Sequence, residues 1–522
     1  MSKRKHLLEK TLYQLIISRL EGLRIGEGPY QKRIFRLIRK GVGGFILFGG
    51  EKDKVKGFIR RMQAEAERSL FIASDIERGV GRQIRGFTNS PCQMAVSAAI
   101  DKNSREDISV LFNSIKSIAD EAVEAGINMP LIPVLDVNRD PDNPIICTRA
   151  FSDNIGIVSW FGSEYIRILE ESGLISCAKH FPGHGDTSID SHIRLPVIRK
   201  SYKDLMKTDL APFKKAIKAG VGSIMIGHLV IPAIDDKPAS LSEKVINELL
   251  RKKLGFRGLV LTDALNMHAL KGITNSSAQC LKAGADVLLH PADADATVRE
   301  LFSALESKDI SEEQIEAAAG RILLAKEKMQ KRETDTIDYK KHEMLSSQIT
   351  GKSITLVKDT KGILPLTDAG KISIILAGDE QYFKSSPFNK AGIHIELALT
   401  EDELLKYPPL EKGIYISPPL AKGGAGGFLD NISVFVIFTS VSAWKGSSGI
   451  SESEKDRIKR LIKEARHSIV ISFGSPYILR HFNDADILIA AYEPTEQAQK
   501  AVMERLEGKA EFKGTLPVKL DV

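Results

Sequence analysis

The chain contains no apolar run approaching the ~18 residues that a membrane-spanning helix needs. Its four cysteines, Cys92, Cys147, Cys177 and Cys280, are scattered and show no CxxC spacing. That excludes a disulfide framework or a cysteine metal site and leaves the reducing cytoplasm as the expected compartment. Charge of one sign is scarce as well. Lysine and arginine number 74 against 67 acids, a net +7, and the basic residues are interleaved with acidic ones. Such a balance describes a solvated surface and not a nucleic-acid footprint. No internal repeat is visible. The start, MSKRKHLLEKTLYQLIISRLEGL, is basic, but Glu9, Lys10 and Arg19 interrupt its apolar stretch and no small-residue cleavage site follows. It reads as a first amphipathic helix, not a signal peptide. What remains is 43% apolar and 27% charged, the composition of a folded globular protein, and 522 residues are too many for one domain.

Between residues 40 and 330, short apolar runs alternate with amphipathic stretches. The runs are Gly43–Phe48, Leu70–Asp75, Leu131–Asp136, Ile175–His180, Ser223–His228, Leu259–Asp263 and Asp286–His290. Each is apolar throughout, as parallel strands buried on both faces are. Helical patterns over 107–125, 204–219 and 243–254 lie between them, the last two ending near Gly220 and Gly255. The alternation predicts a parallel α/β sheet. Five runs end in a polar group: Asp75, Asp136, Lys179-His180, His228 and Asp263. A (β/α)8 barrel gathers all its strand ends on one face, where chemistry sits, so a barrel is favoured over an open sheet. Ser311 with Gln314 predicts a capping box for a closing helix that runs to about Met329. The expected organisation is a catalytic barrel over 1–335, a charged linker over 336–351, and a smaller α/β sandwich over 352–522. The glycine-rich stretch Gly423–Gly427 follows no strand and reads as a flexible loop, not a dinucleotide site.

Two segments carry chemistry. The first is Lys179-His180-Phe181-Pro182-Gly183-His184-Gly185-Asp186-Thr187-Ser188-Ile189-Asp190-Ser191-His192. It leaves a strand end and holds three histidines, a lysine and two aspartates. Asp190 stands two residues from His192, and a carboxylate beside an imidazole can hold its tautomer and stabilise its protonated form. The imidazole titrates near neutrality and can serve as acid and then as base. A plain polar loop is one alternative. A metal set of His180, His184, Asp190 and His192 is another, although Phe-Pro-Gly between the first two is not the helix that presents an HxxxH pair. The second segment, Gly258–Met267, delivers Asp263 from a buried strand, either as a helix N-cap or as a nucleophile.

Together, KHFPGHGDT-x-x-DSH-x-x-x-P (179–196) and GLVLTDALNM (258–267) closely resemble the signatures of glycoside hydrolase family 3, in its β-N-acetylglucosaminidase (NagZ-type) branch. The Asp75–Arg85, Pro133–Asn138 and Arg149-Ala150-Phe151 segments are similar to others of that branch, and Ser353–Lys358, Leu364-Pro365-Leu366 and Gly514–Val518 resemble the family's C-terminal sandwich. The resemblance implies a retaining exo-β-N-acetylglucosaminidase acting on peptidoglycan fragments, with no metal or organic cofactor. In that reading Asp263 is the nucleophile and His192 the acid and base, with Asp190 as its partner. Asp75, Arg85, Arg149, Lys179 and His180 hold the sugar. Arg78 stands where the branch has glycine, and the Asp75–Arg85 segment is about two residues longer than usual, so Arg82 competes with Arg85 for its role. The branch often lacks a second domain; here the DSH loop already supplies the acid, so that domain is expected to be structural or binding. A β-glucosidase or a phosphorylase of the same family, and a non-catalytic muropeptide-binding protein, are the alternatives.

Overall fold

The computed structural model describes residues 3–329, 336–366, 372–389, 414–415, 432–441 and 445–522. The chain forms two compact units. The first takes in Met1–Ser90, Ser109–Asp140 and Ala150–Ser346. The second takes in Pro91–Ile108, Pro141–Arg149 and Ser347–Val522. Among the described residues no helix is long and apolar enough to cross a membrane.

The first unit is built on parallel strands β1 (Ile16–Glu21), β2 (Gly44–Phe48), β3 (Phe71–Ser74), β4 (Met129–Pro130), β5 (Cys177–Phe181) and β6 (Ser223–Ile226). A short antiparallel pair, β7 (Val230–Ile231) and β8 (Asp235–Pro238), precedes β9 (Leu259–Thr262) and β10 (Leu288–Leu289). Two parallel sheets result, ordered β10-β1-β2-β3-β4 and β5-β6-β9. Single parallel bridges, Val134 to Lys179 and Leu261 to Val287, link their edges on both sides, so the sheet curls round on itself. β3, β5, β6, β9 and β10 are buried at every residue, which is why their sequences are apolar without alternation. The capping box of Ser311 and Gln314 forms as expected and starts the helix Glu312–Lys328.

The start of the chain corrects the sequence reading. It is not one helix: Lys3–Gln14 is helical, and Ile16–Glu21 is β1, hydrogen-bonded between β10 and β2. Ile16, Ile17 and Leu20 are buried while Arg19 is exposed, an environment set by the neighbouring strands and not by helical periodicity. Within the segment read as a linker lies a helix, Tyr339–Ser353, whose His342 Nδ1 is 2.8 Å from the buried Glu121.

The second unit holds a six-stranded sheet of β11 (Thr355–Asp359), β12 (Ile372–Gly378), β13 (Ile414–Tyr415), β14 (Ile432–Phe438), β15 (His467–Phe473) and β16 (Ile487–Ala490). The order is β11-β16-β15-β14-β12-β13, with the four central strands parallel and both edges antiparallel. Side chains alternate between two cores. Ile375, Phe435 and Val470 pack with Ile458, Leu461 and Ile462 of helix Glu452–Glu464 and with Met94, Ala95 and Ala98. Ile374, Val434 and Ile471 pack with Ala498, Val502 and Leu506 of helix Glu496–Leu506. Helix Gln93–Ala99, drawn from the first half of the sequence, is wholly buried in this unit. The Gly423–Gly427 stretch lies outside the described residues.

Candidate active site

Because the strands are parallel, their C-terminal ends face one way, and the residues that end them are brought together in the first unit. The buried Lys179 on β5 places its Nζ 2.6 Å from Asp75 Oδ1, just beyond β3, and 2.7 Å from Glu77 Oε1. One cation between two carboxylates fixes all three side chains. The next residue, His180, has its Nδ1 2.7 Å from Asp136 Oδ2. Asp136 is fully buried and also accepts the His184 backbone N–H at 2.7 Å. Burial alone would raise the Asp136 pKa; the charge and hydrogen bond of His180, with His184, outweigh it and hold the carboxyl below its ordinary value. His184 is itself buried, and burial pushes its imidazole down to about 4, so it is neutral at physiological pH.

Asp263 follows β9 directly. Its backbone N–H donates to Ile226 O at 2.9 Å, continuing the strand ladder, and its Oδ1 accepts the Ala264 N–H at 2.7 Å. Burial opposes ionisation here too. His180, then His228, the Ala264 N–H and His192 more than compensate and set the Asp263 pKa at about 2. The carboxylate is therefore ionised wherever the protein is folded near neutrality. His228, two residues past β6, is fully buried. Its Nδ1 is 2.8 Å from Ser240 Oγ and its Nε2 3.2 Å from Ala264 O. A carbonyl can only accept, so Nε2 carries the proton. His228 thus holds the carbonyl of Ala264, the residue whose N–H donates to Asp263. Burial pushes its pKa down, favouring the neutral ring.

His192 reaches this cluster from the loop after β5. Its Nδ1 is 2.9 Å from Asp190 Oδ1, and the same carboxylate oxygen accepts the His192 backbone N–H at 2.8 Å. Asp190 is buried, whereas the His192 side chain is 23% exposed, so the pair is anchored at one end and open at the other. The loop leaves the end of β5, and the His192 ring is among the groups that favour the ionised Asp263 carboxylate. An ionised carboxylate and a carboxylate-held imidazole at one site can supply a nucleophile and a proton carrier.

Of the residues singled out in the sequence, Asp75, Lys179, His180, Asp190, His192 and Asp263 share this end of the first unit. Arg85 does not join them: its side chain is 84% exposed, and its guanidinium stands 3.9 Å from Glu51. Arg82 is also exposed. Arg149 belongs to the second unit, where its Nη1 donates to Ile145 O at 2.9 Å and its carbonyl accepts from Gln93 at 2.7 Å. Among the described residues no group of three or more histidine, cysteine or acidic side chains is arranged to hold a metal. Glu77 was overlooked as a site residue, as was His290 at the end of β10. Burial, with Arg19 nearby, holds the His290 imidazole at about 4. Both were legible only as neighbours of strand ends.

Comparison with known proteins gives a consistent result. The family model described as the glycosyl hydrolase family 3 N-terminal domain matches residues 7–325. A β-hexosaminidase A of Pseudoalteromonas piscicida is 32% identical over 389 residues, covering 66% of this chain and 64% of that protein, so the chain spans less than two thirds of that relative's length. A β-N-acetylglucosaminidase/β-glucosidase of Cellulomonas fimi is 25% identical over 510 residues, 91% of this chain and 88% of that one. The solved structure of a glycoside hydrolase family 3 β-N-acetylglucosaminidase from Paenibacillus sp. str. FPU-7 superposes with a TM-score of 0.79 at 29% identity, covering 98% of this chain and 99% of that one.

Proposed function

The chain belongs to glycosyl hydrolase family 3, and from that premise we propose that it is a retaining exo-β-N-acetylglucosaminidase that removes terminal N-acetylglucosamine from peptidoglycan fragments. The observation that carries this reading is the convergence of an ionised Asp263 with the Asp190–His192 pair at one end of a curled parallel sheet. β-Hexosaminidases among the relatives support the substrate class.

In the proposed cycle an Asp263 carboxylate oxygen attacks the anomeric carbon. The bond from that carbon to the glycosidic oxygen breaks, and the leaving oxygen takes the proton from His192 Nε2. A glycosyl-enzyme ester remains. A water then gives a proton to His192 Nε2 and attacks the same carbon, releasing Asp263 and the sugar with its β configuration retained. Asp190 keeps the proton on Nδ1 and stabilises the imidazolium. Two carboxylates are the usual pair in retaining glycosidases; an imidazole in place of the second adds no negative charge beside Asp263. Asp75, Lys179 and His180 clamp the sugar hydroxyls and acetamido group, with Glu77 fixing the lysine. The four cysteines are buried and none is in a disulfide, which fits a reducing cytoplasm.

The test is turnover of an aryl β-N-acetylglucosaminide, with an aryl β-glucoside alongside because the Cellulomonas relative carries both activities in its name. Release of free N-acetylglucosamine, with and without phosphate, is expected. Sugar 1-phosphate formed in phosphate would make the enzyme a phosphorylase, and wild-type activity in Asp263→Ala would reject the assignment.

A further inference from the structure

The loop that presents Asp190 and His192 leaves β5 at Phe181 and ends at helix Tyr202–Lys207. It contains no helix or strand, so something else must set its span. Its flanks are held by backbone. Arg139 N donates to Gly185 O at 3.0 Å on one side, and Ile198 pairs with Val230 on the other. The stretch between carries both groups of the dyad. Its two feet meet at one buried side chain. Asp209, 1% exposed, sits at the start of helix Leu210–Lys218. A Cβ on Gly183 would stand 2.7 Å from Asp209 Cβ, and Gly183 has φ +128°, so the first foot presses on Asp209 in a way only glycine allows. The second foot is Lys200. Its Nζ lies 2.7 Å from Asp209 Oδ2 and 2.7 Å from Asp186 Oδ2. The Thr208 hydroxyl also donates to Asp209.

We propose that Lys200, gripped by Asp209 and Asp186, is a positioning residue that closes the base of this loop and thereby sets where His192 meets the glycosidic oxygen. The proposal rests on the reading of His192 as acid and base. Lys200 bonds Asp186 and Asp209, and so acts on the reaction through the loop. The Lys200 side chain is 13% exposed and Asp209 buried, so its bond to Asp209 is shielded from the solvent that makes surface pairs weak. Loss of it frees one foot, and a shift of 1 Å in a catalytic group costs on the order of 10²-fold in rate.

The experiment compares Lys200→Met, Lys200→Arg, His192→Ala and the double variant His192→Ala/Lys200→Met. Two aryl β-N-acetylglucosaminides are used, one with a strongly acidic leaving phenol that departs unaided and one with a weakly acidic phenol that requires protonation. Melting curves accompany each variant. Lys200→Met is expected to lower kcat/KM on the second substrate by about 10- to 100-fold and on the first by about 3-fold or less. Lys200→Arg, which keeps the bridge, is expected to restore most of the loss. In the His192→Ala background Lys200→Met is expected to add nothing. Equal losses on both substrates, no loss on either, or a full further loss on top of His192→Ala would overturn the clamp. Wild-type turnover of the second substrate by His192→Ala would instead overturn the acid–base reading beneath it, and the two failures are therefore distinct.

Discussion

Removal of the Asp136 carboxylate should unfasten the turn that presents His180 and His184. Asp136 is fully buried and is held by two short bonds, from His180 Nδ1 at 2.7 Å and the His184 N–H at 2.7 Å, and by longer ones from the His180 N–H at 3.3 Å. A hydrogen bond to a charged group contributes about 1.5–3 kcal/mol, so the two short ones together give about 3–6 kcal/mol. Stranding a buried donor costs about 1–3 kcal/mol, so two stranded donors lose a comparable amount. Asp136→Ala is therefore expected to destabilise the first unit by about 3–5 kcal/mol. Asp136→Asn, which keeps one acceptor and loses the charge, should lose about half as much. The measurement is urea unfolding followed by circular dichroism, fitted per unit because a two-unit chain need not unfold in one step. The pH dependence has a fixed sign. The folded pKa of Asp136 lies below its unfolded value of about 4. Its contribution is thus fully present above about pH 4 and is lost as pH falls through the lower folded value. The gap between wild type and variant should hold near neutrality and narrow in acid. A gap below about 1 kcal/mol at pH 7, or one that widens on acidification, would refute the reasoning.

Other expectations follow from the same geometry. Asp263→Asn keeps the shape and removes the charge, so kcat/KM should fall by roughly 10⁴-fold or more, as losses of a nucleophile do; steady-state kinetics on an aryl β-N-acetylglucosaminide measures it. Lys179→Met leaves Asp75 and Glu77 without the cation between them. One lost charge-assisted bond to substrate predicts a KM rise of about 10-fold or more. Lys326, 8% exposed, donates to Gly43 O and Gln14 Oε1, and burial pushes its pKa down to about 7. Between about pH 7 and 10 the unfolded chain binds the extra proton, so wild-type stability should rise with pH relative to Lys326→Met. A parallel pH profile in the two proteins would show that the lysine is not perturbed.

The fold was legible where burial is uniform. β5, β6 and β9 are covered on both faces, so they appear in the sequence as unbroken apolar runs, and each ends in a residue of the cluster. β1 was hidden because its Arg19 and Glu21 break the run and a real helix, Lys3–Gln14, precedes it directly. The share of the second unit supplied by 91–108 and 141–149 was invisible for a different reason. Met94, Ala95 and Ala98 read as any apolar helix face, and nothing local says that they pack on Phe435 and Val470. At the site, residue types and their position at strand ends pointed to Asp75, Lys179, His180 and Asp263, and the two-residue spacing pointed to the Asp190–His192 pair. Side-chain direction was not legible. Arg85 falls in a motif-like segment yet faces solvent beside Glu51, whereas Glu77, two residues past Asp75, turns inward to Lys179. Nor could spacing show that His228 and Asp136, noted only as strand ends, brace the groups on either side of them.

The most direct test of the central claim is to trap the glycosylated enzyme. A fluorinated N-acetylglucosaminyl donor with a good leaving group forms the ester quickly and loses it slowly, and mass spectrometry of the digested protein then locates the adduct. The account predicts one added sugar on the peptide that contains Leu261-Thr262-Asp263-Ala264, absent from Asp263→Asn. An adduct on a different carboxylate, or a product released with inverted anomeric configuration, would contradict it.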